Sequence, residues 1–235
     1  MTLSRWPEPV LLLAIDTATS AITVALHDGD GVLAESTTLD ARGHGEYVAP
    51  GIAKVLTQAG CAPVDVSAVV VGTGPGPFTG LRVGLVTARA FAFARGVPVF
   101  GVCSLDAMAH QAWLECPAAD LGQFCVVATD ARRKEVYWAR YEISKDGAGR
   151  TSEPMVARAE AIVDKVRGLP VIGRGALLYA ESFGPHVGPL DVSAGALADL
   201  AARRLAAGAT LPSPDPMYLR RPDATPPPPR RSALP

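Results

Sequence analysis

Residues 69–102, VVVGTGPGPFTGLRVGLVTARAFAFARGVPVFGV, read as strand, glycine-rich loop, helix and strand. Val69, Val70 and Val71 form a β-branched run of the kind buried on both faces of a parallel sheet. Gly72, Gly74, Gly76 and Gly80 follow, with Pro75 and Pro77 between them. Glycine admits φ > 0 and proline fixes φ, so this loop has a definite shape. Thr79 is the expected N-cap, the helix runs from about 80 to 95, Gly96 stops it, and 97–102 returns as a strand. The helix is apolar or small nearly all round, and Arg82 and Arg89 share one narrow polar stripe. A surface helix of a lone domain shows a wider polar face. Either this helix packs on its own sheet and on a second body, or one domain encloses it; the pattern leaves both open. The loop has neither Gly-Lys-Ser/Thr nor a dinucleotide GxGxxG, so a shaped structural turn reads better than a phosphate cradle.

Upstream, an apolar strand over 10–15 ends at Asp16, and strands over 22–27 and 32–38 complete a three-strand meander. A helix over 46–59 follows, with Val48, Ile52, Val55 and Leu56 on one face, Pro50 in its first turn and Gly60 closing it. Downstream, Ser104 is the expected cap of a helix reaching about 114. A strand over 124–129 then ends at Asp130, and the polar turn Ala131-Arg132-Arg133-Lys134 leads into a strand over 135–141. AIDTATSAITVAL and VATDARRKEVYWAR thus repeat one pattern, their aspartates 114 residues apart, which reads as an internal duplication of topology. Residues 146–150 read as a loop, 160–166 as a short helix, 171–172 as a strand, and Gly173-Arg174-Gly175 as a second glycine turn leading into 176–183. Ser193 caps a helix through 207, closed by Gly208.

The chain has 235 residues, 49% apolar and 19% charged, enough for a sizeable core, and its net charge of −1 argues against a strongly basic nucleic-acid binder acting alone. Cys61, Cys103, Cys116 and Cys125 form no CxxC pair and read as reduced thiols of a cytoplasmic protein; the apolar run at 10–15 is too short to span a membrane. His27, His44, His110 and His186 show no helical metal spacing, and no GxSxG elbow is present, so each reads as structural. Asp16 and Asp130, at strand ends of the duplicated halves, are the best polar candidates. Facing each other across a cleft they would hold hydrated magnesium and orient phosphates; the other reading, slightly preferred, is that each pins its own turn.

AIDTATSAITVAL, VVVGTGPGPFTGLRVGLVTARAFA, GVCSLDAMA and the terminal PMYLRRP together resemble the TsaB (YeaZ) family over about residues 11–221. The resemblance implies an α/β fold of the actin-like ATPase (ASKHA) type with two ribonuclease-H-like lobes: 10–103 carrying the dimerisation helices, 104–210, and an extended, largely disordered tail, 211–235. It implies a role in forming threonylcarbamoyladenosine beside the anticodon of tRNAs, with TsaD as the catalytic relative. In TsaD two histidines of a stretch resembling V-N-H-L-E-G-H bind metal; Ser104 and Met108 stand there in this chain. Neither replaces imidazole as a ligand. The implied role is therefore a non-catalytic scaffold, with no catalytic or metal-ligating residues. It pairs with TsaD, with TsaE in the same system, or with a second copy when alone, and meets tRNA only through the complex. Candidate interface residues are Tyr47, Pro50, Gly51, Lys54, Arg82, Val83, Leu85, Val86 and Arg89, with Leu85→Glu expected to break the pairing. Weak ATP or ADP and magnesium binding would involve Asp16, Thr17, Thr19, Ser20, Asp130, Arg132, Gly173 and Gly175, although the methyl of Ala18 crowds a phosphate there. An independent ASKHA phosphotransferase or a metallopeptidase-like enzyme is the alternative, and a tRNA-docking role for Arg132-Arg133-Lys134, Arg203-Arg204 and Arg220-Arg221 is a weaker third.

Overall fold

The computed structural model describes residues 10–40 and 43–220. The first sheet opens with β1 (Leu12–Asp16), β2 (Ala21–His27) and β3 (Val32–Leu39), then adds β4 (Ala68–Gly72) and β5 (Val99–Val102). Its order is β3-β2-β1-β4-β5, antiparallel through the meander and parallel from β1 to β5. Parallel strands need crossovers, and helices α1 (His44–Ala59) and α2 (Phe78–Arg95) supply them. Both pack on one face of this sheet. Val48, Ile52, Val55, Leu81, Leu85 and Ala88 interleave there with Leu13, Ile15, Val24, Val69 and Val71.

The second sheet repeats the plan in reduced form. β6 (Phe124–Asp130) pairs antiparallel with β7 (Glu135–Ser144), and β7 pairs with β8 (Gly147–Arg150) along one half and β9 (Met155–Arg158) along the other. β10 (Val171–Ile172) pairs parallel with β6, and a single parallel bridge, Val171 to His186, stands where a fifth strand would lie. The crossovers shrink to a 3-10 turn (Ala159–Ile162) with α5 (Val163–Val166), and to α6 (Gly175–Leu178). Two further helices, α3 (Ser104–Glu115) and α7 (Ala194–Ala206), occupy matching places after each sheet, with the one-turn α4 (Ala118–Leu121) between.

α3 and α7 fill the space between the sheets. Leu105, Met108, Ala112, Leu197 and Ala201 pack against Ala14, Ala25 and Val70 on one side and Cys125, Val127 and Tyr141 on the other. Although α7 lies late in the chain, it packs chiefly on β1 and β2 of the first sheet. A buried carboxylate clasps this layer: Asp106 accepts from the Tyr141 hydroxyl at 2.9 Å and from Arg204 at 2.9 Å, and lies 3.4 Å from Arg150. Two repeats of a meander followed by parallel strands, with helices between the lobes, make the expected two-lobed actin-like architecture.

Several boundaries differ from the sequence reading. α2 starts at Phe78 with Pro77, not Thr79, at the N-cap, because Pro77 already holds the extended φ of −58° and ψ of 132° that precedes a helix. α1 starts at His44, so Pro50 sits in the helix interior; it is on the solvent side. Ser104 is the first helical residue and caps nothing, since its hydroxyl points at Asp16. Residues 147–150, expected as loop, form β8, because a two-residue turn brings Gly147 opposite Ser144. Of the stretch 176–183 only 176–178 are helical, as the end of Gly175–Leu178. Ser193 does cap α7, accepting from Ala196 N–H at 3.0 Å. Residues 211–220 run extended, whereas 221–235, the proline-rich part of the expected tail, lie outside the described residues.

Candidate functional site

Asp16 ends β1 with its carboxylate fully buried. Oδ1 accepts from Ala18 N–H at 2.7 Å and Oδ2 accepts from the Ser104 hydroxyl at 2.6 Å. Ser104 Oγ in turn accepts from Gly74 N–H at 3.1 Å. Gly72 makes this possible, because a Cβ there would overlap the Asp16 carboxylate. Burial pushes the Asp16 carboxyl up to about 6, against the two hydrogen bonds that favour its charge. Thr17 is spent in the same way. Its hydroxyl donates to Gly80 O at 2.8 Å and accepts from Gly84 N–H at 3.0 Å, riveting α2 to the first sheet.

A cleft of about 400 Å³ opens beside this knot, lined from the first lobe by Thr19, Ser20, His44, Phe78 and Thr79 and from the second by Asp130, Arg132, Arg174 and Asp191. Asp130 accepts from its own turn, Arg132 N–H, at 2.8 Å, and Arg132 Nε lies 3.7 Å from Oδ2. Arg132, Arg133 and Lys134 all adopt left-handed φ, between 55° and 62°. Arg174 grips Asp191 with two nitrogens, the shorter contact 2.6 Å, and this hydrogen-bonded pair raises the guanidinium pKa.

Of the eight nucleotide candidates, the cleft gathers Thr19, Ser20, Asp130 and Arg132. Asp16 and Thr17 do not line it; their polar atoms are committed to Ala18, Ser104 and α2. The two strand-end aspartates therefore do not face each other, and the residues do not fit a magnesium ion held between them. Gly173 gives its N–H to Pro189 O at 3.0 Å, and a Cβ at Gly173 or Gly175 would press on Ala128 O at 2.6 or 2.8 Å. Both glycines serve close packing on β6. Sequence reasoning missed His44, Phe78, Arg174 and Asp191; Arg174 inside the glycine turn was the available signal. Three of the histidines are built in: His27 Nδ1 accepts from Gly29 N–H at 2.9 Å, His44 Nε2 sits 3.2 Å from Thr19 O, and His110 Nε2 lies 2.6 Å from Asp199.

The second feature is the outer face of α1 and α2. Tyr47, Pro50, Lys54, Arg82, Val86 and Arg89 are exposed there, Val86 at 64%, and Val83 and Gly51 are half-buried. Leu85 is not on this face. It is 4% exposed and belongs to the core against the sheet, because it follows Leu81 and precedes Ala88 on the inward stripe. Phe93, seven residues beyond Val86 and 89% exposed, was missed although that spacing puts it on the outward stripe. Residues 211–220 strap the near edge of this face. Arg82 donates to the Tyr218 hydroxyl at 2.7 Å and stacks 3.6 Å over the Phe78 ring, while Arg89 donates to Pro214 O at 2.6 Å and pairs with Asp215 at 2.8 Å. The two arginines offered as partner contacts thus already serve the chain itself.

Among the described residues no group of three or more His, Cys, Asp or Glu is placed to hold a metal ion, and no helix is long and apolar enough to cross a membrane. The family model described as TsaD, tRNA N6-adenosine threonylcarbamoyltransferase, matches residues 16–224. An uncharacterised protein of Mycobacterium tuberculosis is 47% identical over 221 residues, covering 92% of this chain and 94% of that protein. The tRNA threonylcarbamoyladenosine biosynthesis protein TsaB of Escherichia coli is 39% identical over 136 residues, covering 58% of this chain and 57% of its own length. Among solved structures, YeaZ from Pseudomonas aeruginosa superposes with a TM-score of 0.74 at 29% identity, over 89% of this chain and 100% of that one. With the GPGPFTGLRVG loop seated against Ala18 and the two-lobed topology complete, the chain belongs to the family that this model describes and, within it, to the TsaB (YeaZ) group.

Proposed function

We propose that this protein is the non-catalytic dimerisation subunit that pairs with TsaD in the complex forming N6-threonylcarbamoyladenosine next to the anticodon of tRNAs, in the cytoplasm. The observation that carries the proposal is the outer stripe of α2, where Val86 and Phe93 stand 64% and 89% exposed on a helix whose other side is core. Two large apolar side chains left open along one stripe of an otherwise well-packed helix support an interaction face there. TsaD is the partner because the shared fold gives both proteins equivalent α1 and α2 helices, which pack together as a bundle. TsaE joins the same assembly, and a second copy of this chain takes the face when TsaD is missing.

The pseudo-enzyme reading draws support from Ser104 and Met108, the positions where the resemblance puts TsaD's metal histidines. Ser104 is locked between Asp16 and Gly74, and Met108 is wholly buried between the sheets. An independent phosphotransferase is less well supported, since Asp16 is too buried and too committed to hold a metal. Reconstitution tests the proposal. The purified chain alone makes no modified adenosine, and it restores product when added to TsaD, TsaE and a supply of threonylcarbamoyl-adenylate. Full product without this chain overturns the proposal.

A further inference from the structure

The second lobe carries its own counterpart of the α1/α2 face. There the crossovers are single turns, and they leave a groove of about 500 Å³ walled by Lys134, Glu160, Tyr179 and Glu181. Its floor includes Leu177 and Leu178, 56% and 54% exposed. Two adjacent leucines left this open on a small lobe call for a cover.

The end of the described chain lies beside this groove. Arg220 donates to Ala131 O at 3.1 Å and pairs with Glu135, the two residues that flank the turn Arg132-Arg133-Lys134. The remaining fifteen residues, 221–235, read RPDATPPPPRRSALP. We infer that the groove is the docking site for this chain's own segment 226–231, Pro-Pro-Pro-Pro-Arg-Arg.

Three arguments converge on this occupant. Reach is sufficient: six extended residues span about 20 Å, and the tether at Arg220 flanks the turn that carries one groove wall. The apolar chemistry matches, since proline-rich segments bind aromatic and aliphatic grooves with little ordering cost, and Leu177, Leu178 and Tyr179 offer such a surface. Charge also matches. Arg230 and Arg231 follow the prolines in the sequence, and Glu160 and Glu181 line the groove. Glu160 already lies 3.4 Å from Arg158, both exposed, and that pair exchanges readily for a tail arginine. Tethering gives an effective concentration on the order of 1 mM, so an intrinsic Kd of about 100 μM fills the groove about ten times more often than not. Docking there also steadies the turn that holds Arg132 at the cleft.

Hydrogen exchange on the full-length chain tests the inference, with variants only at exposed or tail positions. Arg230→Glu with Arg231→Glu, or replacement of Pro226 to Pro229 by glycine, raises exchange over 175–182 about tenfold. Glu160→Lys with Glu181→Lys does the same, and combining both charge reversals restores protection. Unchanged exchange in the single sets overturns the inference. So does a combined variant left as unprotected as its parents, or protection that grows with protein concentration, which assigns the groove to the tail of a second copy.

Discussion

Asp16 supplies the sharpest test of whether its role is structural. Its carboxyl titrates in the native state at about 6 against 3.8 for the free side chain, chiefly because it is fully buried. The native state therefore holds this proton more tightly than the unfolded chain does. The stability that Asp16 contributes is complete below pH 3.8 and is lost as pH rises through 6. About two pKa units correspond to about 3 kcal/mol. Asp16→Asn removes that dependence and keeps the amide oxygen for Ala18 N–H. It weakens the Ser104 bond by a constant amount, of order 1 kcal/mol, that does not vary with pH. Urea unfolding of both proteins from pH 4 to 8 measures the difference, in which all other titrating groups cancel. The expected curve moves in favour of the asparagine variant by about 3 kcal/mol between pH 4 and 7, then flattens. A difference that stays flat across that window refutes the burial argument and returns Asp16 to the cleft as a solvated ligand.

Further outcomes follow from the packing. Val86→Glu leaves the fold intact, since Val86 is 64% exposed, but weakens pairing with TsaD by about a hundredfold or more in calorimetry, because an unpaired charge inside an interface costs about 3–5 kcal/mol. Unaltered affinity removes α2 from the interface. Leu85→Glu, at a position 4% exposed, instead unfolds the first lobe, seen as loss of a cooperative melt. Thr17→Val removes the hydroxyl's two bonds, leaves Gly80 O and Gly84 N–H to their own i,i+4 helical pairing, and lowers stability by about 1–3 kcal/mol, whereas Thr17→Ser loses little; equal losses count against the hydroxyl's role. Asp106→Ala uncouples Tyr141, Arg150 and Arg204 at about 3 kcal/mol, lowering Tm by roughly 6–12 °C, and an unchanged melt dismisses the clasp.

The fold was legible wherever period and punctuation agreed. The three valines of β4, the helix ending at Gly96 and the meander around Asp28-Gly29 all stand where the pattern puts them. The reading failed where a distant residue decides. Leu85 and Val86 are neighbours of equal hydropathy, and only the sheet beneath tells which is core. Asp16 looks free to enter a cleft until Ser104, 88 residues later, closes over it. Arg82 and Arg89 look like partner contacts until the strap at 211–220 claims them. β8, with its glycines, lacks the branched residues that announce a strand, and its pairing with β7 comes from the turn.

The unequal halves limit how such molecules associate. The leading repeat presents helices of 16 and 18 residues to the outside, while the trailing one presents turns of four. A chain with two equivalent outer faces can polymerise head to tail; here the two faces differ in kind, so the duplicated topology does not duplicate the surface. Should the long helices take the partner proposed above, association closes after one molecule and the assembly stays finite.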